Sequence, residues 1–258
     1  MTESEKSSEQ RAPSPRKKLA ATIVSVTSLT EVSVKEMYGL FAASYAGVGE
    51  QIFRDDLAAK SHVITIRDEA DILRGFSTIV LWELVHEGQR AKFLFSGDTV
   101  IDPAFWGDRA LPIKLMETLG AVHALDPDVP SYWLLISMSP RTFKSLPMFF
   151  YDFHPRVRSD SSMSGLAESV GYTFFADRFD VARGVIVGGP MTGRLKENLA
   201  SVHEKELRLP DVRAFLERNP NFAGGDELIC LAPLVPDNVR PWLRRCFLRG
   251  MENKAMLS

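Results

Sequence analysis

The sequence lacks several features that would assign it at once to a class of proteins. Of its 258 residues only two are cysteines, Cys230 and Cys246, and they form no CxxC pair and no Cys/His cluster. This pattern favours two buried thiols in a reducing compartment over a disulfide, and it offers no zinc site. The five histidines are scattered without a metal-binding spacing such as HExxH. The sequence therefore predicts no bound metal.

Long apolar runs and a large excess of one charge are also missing. No stretch of about 18 consecutive apolar residues occurs, so we predict no membrane span. The formal net charge is −2, so no basic field would attract nucleic acid. The first residues lack the apolar core of a secretory signal. Together these absences predict a cytoplasmic protein whose partners are not nucleic acids.

The N-terminal residues 1–18 differ in composition from the rest of the chain. Their sequence, MTESEKSSEQRAPSPRKK, mixes acids, bases, serine and proline. Such a segment buries too little apolar surface to offset its ordering entropy, so we predict a disordered tail. The basic cluster at its end, Arg16 to Lys18, either contacts an acidic partner or is simply solvated.

From residue 19 onward the hydrophobic pattern predicts the element order β-α-α-β-β-β-α-β-α, followed by a mixed extension. The most distinctive part is a β-hairpin with the arms Ile72–His86 and Arg90–Asp102. Because the first arm is apolar on both faces, we expect a central strand that is covered on both sides. Three successive strands before an alternating run predict a mixed sheet with helices on both faces. No GxGxxG opens a helix, which argues against a doubly wound Rossmann fold.

The second arm of this hairpin leads into a strand–turn–helix corner, SGDTVIDPAFWGDRALP, from Ser96 to Pro112. The N-terminus of a helix presents free N–H groups and a partial positive charge, so such corners suit anions. Close approach of the backbone to a phosphate favours several glycines, and the turn has only Gly107. Arg109 offers a guanidinium instead, which binds phosphate through paired hydrogen bonds.

The element order and this corner resemble the GNAT superfamily of acyltransferases over roughly residues 20–150. In that family the fourth strand enters a turn of the form V-x-P-x-x-R/Q-G-x-G-x-G/A, whose amides hold the pyrophosphate of an acyl-CoA. At the defined positions of that pattern this sequence has, in order, Ile101, Pro103, Trp106, Gly107, Arg109 and Leu111. The proline and the first glycine match, whereas the second glycine and the last small residue do not.

The resemblance implies an acyl donor carried on phosphopantetheine, either acyl-CoA or an acyl-carrier protein. The single phosphate of a carrier-protein arm needs a smaller cradle than a pyrophosphate, which would suit a corner with one glycine. The donor-binding residues that it implies are Thr99, Val100, Ile101, Trp106, Gly107, Asp108, Arg109 and Ala110. The alternative is a strand–helix turn in an inherited fold that no longer binds a carrier.

Acyl transfer to an amine needs a base for the amine and stabilisation of the oxyanion. The candidate catalytic residues are Asp98, Glu83, Tyr151 and His154. Asp98 is either a general base or part of a bulge made by Gly97. Glu83, inside an apolar arm, is either functional or exposed at the hairpin tip. Tyr151 and His154 belong to the aromatic run FFYDFHPR, whose members either act in catalysis or form structural walls.

The sequence thus predicts a mixed α/β fold with a mostly antiparallel sheet, a GNAT-like domain at 19–155 and a C-terminal extension at 156–258. The extension is either a degenerate GNAT-like half or a helical cap. Two segments, SMSPRTFKSLPMFFYDFHPR and ERNPNFAGGDELICLAPL, resemble a divergent bacterial group of GNAT-like proteins of unknown substrate.

The expected function is transfer of an acyl group from a CoA or carrier-protein thioester to a small-molecule amine. Trp106, Phe93 and Phe95 favour an acyl group longer than acetyl. The alternative is a non-catalytic GNAT-like module that binds a ligand or scaffolds a partner. A homodimer that pairs through the C-terminal half is a third interpretation.

Overall fold

A computed structural model describes residues 18–156, 163–189 and 192–257, apart from the side chain of Asn198. The predicted disordered tail, residues 1–18, lies outside the described residues except for Lys18. The described strands are β1 (Leu19–Ser25), β2 (Tyr45–Ala46), β3 (His62–Asp68), β4 (Leu73–His86), β5 (Gln89–Ile101), β6 (Ser131–Ser137), β7 (Phe179–Asp180), β8 (Val185–Ile186), β9 (Arg194–Leu195) and β10 (Glu227–Pro233). The described α-helices are α1 (Glu31–Ser44), α2 (Glu50–Ala58), α3 (Ala110–Leu125), α4 (Pro140–Phe143), α5 (Ser145–Phe149), α6 (Ser164–Phe175), α7 (Glu197–Ala200), α8 (Pro210–Arg218) and α9 (Pro241–Glu252).

Eight of the described strands form one mixed sheet in the order β1-β3-β4-β5-β6-β10-β8-β7. Neighbouring strands are antiparallel except for β5 and β6, which run parallel. Trp133 and Leu135 of β6 pack with α3 and α9 on one face, whereas Leu134 packs with α6 on the other. The predicted fold class, a mostly antiparallel mixed sheet with helices on both faces, is confirmed.

The strand β4 lies in the interior of the sheet, between β3 and β5. Its first half, Gly75–Ile79, is buried on both faces, as the apolar pattern predicts. Toward the hairpin tip the prediction is wrong. Trp82 and Leu84 pack with residues of α6, whereas Leu81 and Val85 are exposed. The reason is that α6 covers only one face of the tip, so the apolar side chains on the other face remain in solvent.

The helices α3 and α9 cross in very close contact. Gly120 on α3 and Gly250 on α9 lie at the crossing, and a Cβ atom on either would overlap the backbone of the opposite helix. Beside them Glu117 forms ion pairs with Lys114 and Arg249. The last helix of the chain is therefore packed directly against the helix that follows the predicted phosphate corner.

The chain after residue 156 also extends the sheet. β10 pairs with β6 over Leu228–Pro233, and β9 pairs with β2 through Tyr45 and Leu195. The backbone N–H of Lys196 donates to the carbonyl of Ser44 at 3.1 Å. These contacts bring the C-terminal half to the end of α1, beside the cavity of the candidate active site.

Candidate active site

The parallel pairing of β5 with β6 stops before either strand ends. The last paired residues are Ser96 and Leu135, although β5 continues to Ile101 and β6 to Ser137. The two strands therefore separate, and the edge of β5 beyond Ser96 has no partner on β6. This leaves a wedge-shaped gap in the sheet, lined by main-chain groups.

A β-bulge lies at the start of this gap. The register between β4 and β5 shifts between Ser77 and Ile79, so that β5 has one extra residue within Gly97–Asp98. A Cβ atom on Gly97 would lie 2.6 Å from Oγ1 of Thr78, so a larger residue does not fit there. Because Asp98 also lines the adjacent cavity, the bulge and a functional carboxylate are compatible interpretations of the same stretch.

A cavity of about 820 Å³ opens beside the gap. Its walls come from β5, the end of β6, α1, α2 and the C-terminal half of the chain. The ionisable residues that line it are Tyr45, Asp56, Lys60, Asp98, Arg141, Arg178 and Glu227. A space of this size accommodates a small organic ligand.

Asp98 is next to a second carboxylate in the cavity. Burial is the main cause that raises the pKa of Asp98. The negative charge of Asp56 and a hydrogen bond with Asp56 raise this pKa further, and the charge of Lys60 lowers it. The resulting pKa is about 7. The Nζ of Lys60 lies 2.7 Å from Oδ1 of Asp56 and neutralises that carboxylate. A carboxyl group with a pKa of about 7 can accept and release a proton at neutral pH, as a general base must.

A third carboxylate, Glu227, lines the same cavity from β10. Burial is the main cause that raises the pKa of Glu227 to about 7. The positive charge of Arg178 lowers this pKa, and the negative charge of Asp98 raises it. The pKa of Tyr45 is raised by burial and by the charges of Asp98 and Glu227, so its hydroxyl stays protonated. No three His, Cys, Asp or Glu residues of the described ranges come together as a metal site.

Aromatic side chains form a wall of the cavity. The ring of Trp82 is stacked between Phe95 and Phe174, with centroid distances of 4.8 and 4.4 Å, and all three residues line the cavity. Phe93, which the sequence also suggests for an acyl tunnel, is fully buried instead and stacks on Tyr132. The wall is therefore built from β4, β5 and α6 together.

The corner between β5 and α3 only partly faces the cavity. Of the predicted donor-binding residues, the structure places Thr99, Val100, Ile101 and Trp106 in the cavity lining and leaves Gly107, Asp108, Arg109 and Ala110 outside it. Oδ1 of Asp108 accepts a hydrogen bond from the N–H of Ala110 at 2.7 Å, so a carboxylate occupies the start of the helix. The guanidinium of Arg109 lies 5.8 Å from the ring of Trp242.

A different arginine reaches the mouth of the cavity. The guanidinium of Arg141 lies 3.7 Å from the ring centroid of Trp106, and both residues line the cavity. Arg141 forms no ion pair with any carboxylate in the described ranges. It is therefore a cation available to a ligand.

The structure does not bring the other predicted catalytic residues to this cavity. Glu83 is exposed at the hairpin tip and pairs with Arg90 at 2.9 Å, as its second interpretation expects. Tyr151 is 45% exposed and lies on a separate groove. The backbone of His154 pairs with that of β10, and burial, with the charge of Arg218, lowers the pKa of His154 to about 4.

Sequence reasoning missed the other ionisable residues of the cavity: Tyr45, Asp56, Lys60, Arg141, Arg178 and Glu227. Tyr45 lies in β2, directly after α1, and Asp56 lies in α2, and no sequence motif marks either residue. Glu227 did carry a signal, because it is the single carboxylate at the start of the otherwise apolar strand ELICLAP. The position of that strand beside β6 is a tertiary feature that its own sequence does not show.

No family model and no curated protein matches the sequence, and no described helix is long and apolar enough to cross a membrane. Among solved structures, a probable N-acyltransferase from Enterococcus faecalis has a TM-score of 0.39 and 14% identity over 53% of this chain, and the match spans 33% of that protein. A GNAT family N-acetyltransferase from Escherichia coli, in complex with CoA, has a TM-score of 0.36 and 12% identity, covering 54% of this chain and 72% of that one. A GCN5-related N-acetyltransferase from Kribbella flavida has a TM-score of 0.37 and 12% identity, covering 86% of this chain and 67% of that one. Of these three structures, two are named as GNAT-type N-acetyltransferases and one as a probable N-acyltransferase.

Proposed function

We propose that this protein is a GNAT-like acyltransferase that moves an acyl group from a phosphopantetheine thioester to an amine. The observation that carries the proposal is the gap between β5 and β6 beyond Ser96 and Leu135, which opens beside a cavity containing Asp98. A thioester arm inserted there would meet unpaired main-chain groups on one side and a titratable carboxyl group on the other.

The unpaired edge of β5 suits the carbonyl of the thioester. Backbone N–H groups in Thr99–Ile101 that face the gap have no strand partner on β6. A buried N–H needs an acceptor, and preorganised N–H donors stabilise the negative charge that develops on a thioester carbonyl oxygen. The proposal assigns these donors to the oxyanion.

Asp98 is assigned the proton transfer. The carboxylate takes a proton from the acceptor ammonium and passes it to solvent, which leaves a neutral amine. The amine nitrogen then bonds to the carbonyl carbon and the carbon–sulfur bond breaks. One of the two protons on the nitrogen goes to the sulfur to give the free thiol, and the other stays on the amide. The products are an amide and the thiol form of the carrier, so atoms and charge balance.

The aromatic wall supports an acyl group longer than acetyl. Trp82, Phe95 and Phe174 present stacked rings to the cavity. Burial of each CH₂ group against such a surface contributes about 0.8 kcal/mol. We therefore expect longer acyl thioesters to bind more tightly than acetyl thioesters.

The carrier's phosphate is assigned to Arg141 rather than to Arg109. Arg141 lines the mouth of the cavity, whereas Arg109 points toward Trp242 and follows the carboxylate of Asp108. A donor with one phosphate in its arm, as on an acyl-carrier protein, fits this corner as well as CoA does.

The test is acyl-CoA binding by calorimetry, together with thiol release in the presence of an amine panel. We expect Arg141→Ala to weaken acyl-CoA binding by about 10-fold, while the matched variant Arg109→Ala stays within about 2-fold of wild type. A reversed order would contradict the assignment of Arg141. Failure of acyl-CoA and acyl-carrier protein to bind or to release thiol, across short and long chains, would remove the proposed function.

The second candidate function is a non-catalytic GNAT-like module that binds a ligand. The observation in its favour is Asp108, whose carboxylate occupies the helix start where the resemblance places a pyrophosphate. Such a module would bind a ligand in the cavity without cleaving a thioester. Substitution of Asp98 by Asn distinguishes the two, because only the enzyme has a turnover to lose.

A further inference from the structure

We infer that the acceptor carries a second cationic nitrogen besides the amine that is acylated, and that the carboxylate of Glu227 binds it. The inference rests on the proposed acyl transfer and specifies its acceptor. It concerns a residue of the C-terminal half, which the expected GNAT-like domain at 19–155 does not include.

Glu227 is a carboxylate without a partner. Its side chain lines the cavity and makes no hydrogen bond or ion pair with any described residue. Glu227 is half-buried, and a carboxylate in this state is destabilising, because it has lost part of its hydration without gaining a donor. A ligand cation would supply the missing partner.

The charges around Glu227 leave one negative charge in excess when all are ionised. The groups that act on it are Arg178, Asp98, Asp56 and Lys60. Lys60 is already bound to Asp56 at 2.7 Å, and NH1 of Arg178 donates to Oγ1 of Thr192 at 3.1 Å. Among these groups three carboxylates face two cations, and Lys60 is already paired with Asp56. Arg141, the remaining cation of the cavity lining, lies on the ring of Trp106. A ligand with a permanent positive charge would balance the carboxylate in excess around Glu227.

The sheet register places Glu227 opposite Asp98. Ser96 of β5 pairs with Leu135 of β6, and Ser137 of β6 pairs with Leu228 of β10. Asp98 lies two residues after Ser96, and Ser137 lies two residues after Leu135. Asp98 is therefore level with the start of β10. Because β6 lies between them and separates from β5 beyond Ser96, β5 and β10 are at least about 10 Å apart here. Their two carboxyl side chains therefore approach one cavity from opposite sides.

The two carboxylates have different tasks under this arrangement. Asp98, at the edge of the gap, takes the proton from the nitrogen that attacks the thioester. A group that must accept this proton cannot at the same time neutralise a cation that stays charged. Glu227, on the far side, is free to bind that second nitrogen, which would orient the first toward the gap. The acceptor class that satisfies both is a short diamine or a molecule with an equivalent pair of basic nitrogens.

The experiment compares 1,4-diaminobutane with butylamine as acceptors for the same acyl-CoA, using thiol release. For wild type we expect kcat/KM to be about 10-fold or more higher for the diamine. Glu227→Gln should remove this preference, because it lowers kcat/KM for the diamine about 10-fold more than kcat/KM for butylamine. The control Glu168→Gln, an exposed carboxylate on α6, should keep the preference.

Equal use of both amines by wild type, or an equal loss of both rates in Glu227→Gln, would overturn the inference while acyl transfer stands. Calorimetric binding of 1,4-diaminobutane gives a readout that does not need turnover. We expect binding to wild type that weakens by about 10-fold in Glu227→Gln. If that difference is found but no amine promotes thiol release, the acyl-transfer proposal fails and the cation site remains.

Discussion

Buried carboxylates occur in two contrasting settings in this protein. Asp68, the last residue of β3, accepts hydrogen bonds from the N–H groups of Ala70 and Ile72 and from Arg74. Burial acts to raise its pKa, but these bonds outweigh burial and lower it. Asp226, just before β10, is bonded to the N–H of Gly188 and to Arg183.

For the carboxylates that line the cavity, the pKa is raised instead of lowered. Asp98 and Glu227 both have a pKa raised to about 7, because burial is not offset by donors. The difference lies in what surrounds the carboxylate, since burial alone acts in the same direction everywhere. Satisfied carboxylates such as Asp68 and Asp226 stabilise the fold, whereas unsatisfied ones at a cavity are poised to act on a ligand.

The largest effect that tests this contrast is expected for Asp98→Asn. The amide cannot accept the ammonium proton, so thiol release in the presence of an amine should fall by about 100-fold or more. Circular dichroism should show an unchanged fold. The control is Asp128→Asn, in an exposed turn, which should keep the wild-type rate. An active Asp98→Asn variant would show that Asp98 is not the base.

The next effect concerns stability and pH. The folded state holds the proton of Glu227 more tightly than the unfolded chain, whose pKa is near 4.5, since the folded pKa is about 7. The stability of wild type should therefore fall as the pH rises from 4.5 to 7 and then level off. Glu227→Gln removes that contribution. The free energy of unfolding of the variant should therefore rise by roughly 3 kcal/mol relative to that of wild type between pH 4.5 and pH 7. Urea unfolding at pH 5 and pH 8 measures it, and parallel curves for the two proteins would contradict the unsatisfied state of Glu227.

The smallest effect is expected for a satisfied carboxylate. Asp226→Ala removes one of the two carboxylate partners of Arg183 and leaves the N–H of Gly188 without its acceptor. We expect a loss of about 2 kcal/mol in the free energy of unfolding, at pH 5 as well as at pH 8. A variant as stable as wild type would remove the distinction between the two kinds of carboxylate.

Much of the scaffold could be predicted from the sequence. The hairpin, the mixed sheet and the bulge at Gly97 follow from local patterns, because apolar alternation and a glycine act over a few residues. The exposure of the hairpin face around Leu81 could not be predicted, since it depends on which face of the sheet α6 packs against.

The candidate site was less accessible to sequence reasoning for the same reason. Asp98 was found because it lies in the hairpin itself, next to the bulge. Glu227 reaches the cavity only because β10 pairs with β6, about ninety residues earlier in the chain. Tyr151 seemed promising in its aromatic run, yet Arg240 lies over its ring at 4.2 Å, on a separate groove. Which side chains meet in a cavity depends on long-range pairing that no short motif encodes.

The pairing of β10 with β6 has a consequence for how the protein behaves when it is cut. Ser131–Ser137 is largely apolar and buried, and β10 covers the side of this strand that faces away from β5. A fragment ending near residue 156 would leave β6 as an exposed edge strand, whose unpaired backbone groups can pair with strands of other molecules. Truncation should therefore give precipitate rather than a smaller soluble protein, so the acceptor side of the cavity and the solubility of the fold depend on the same strand.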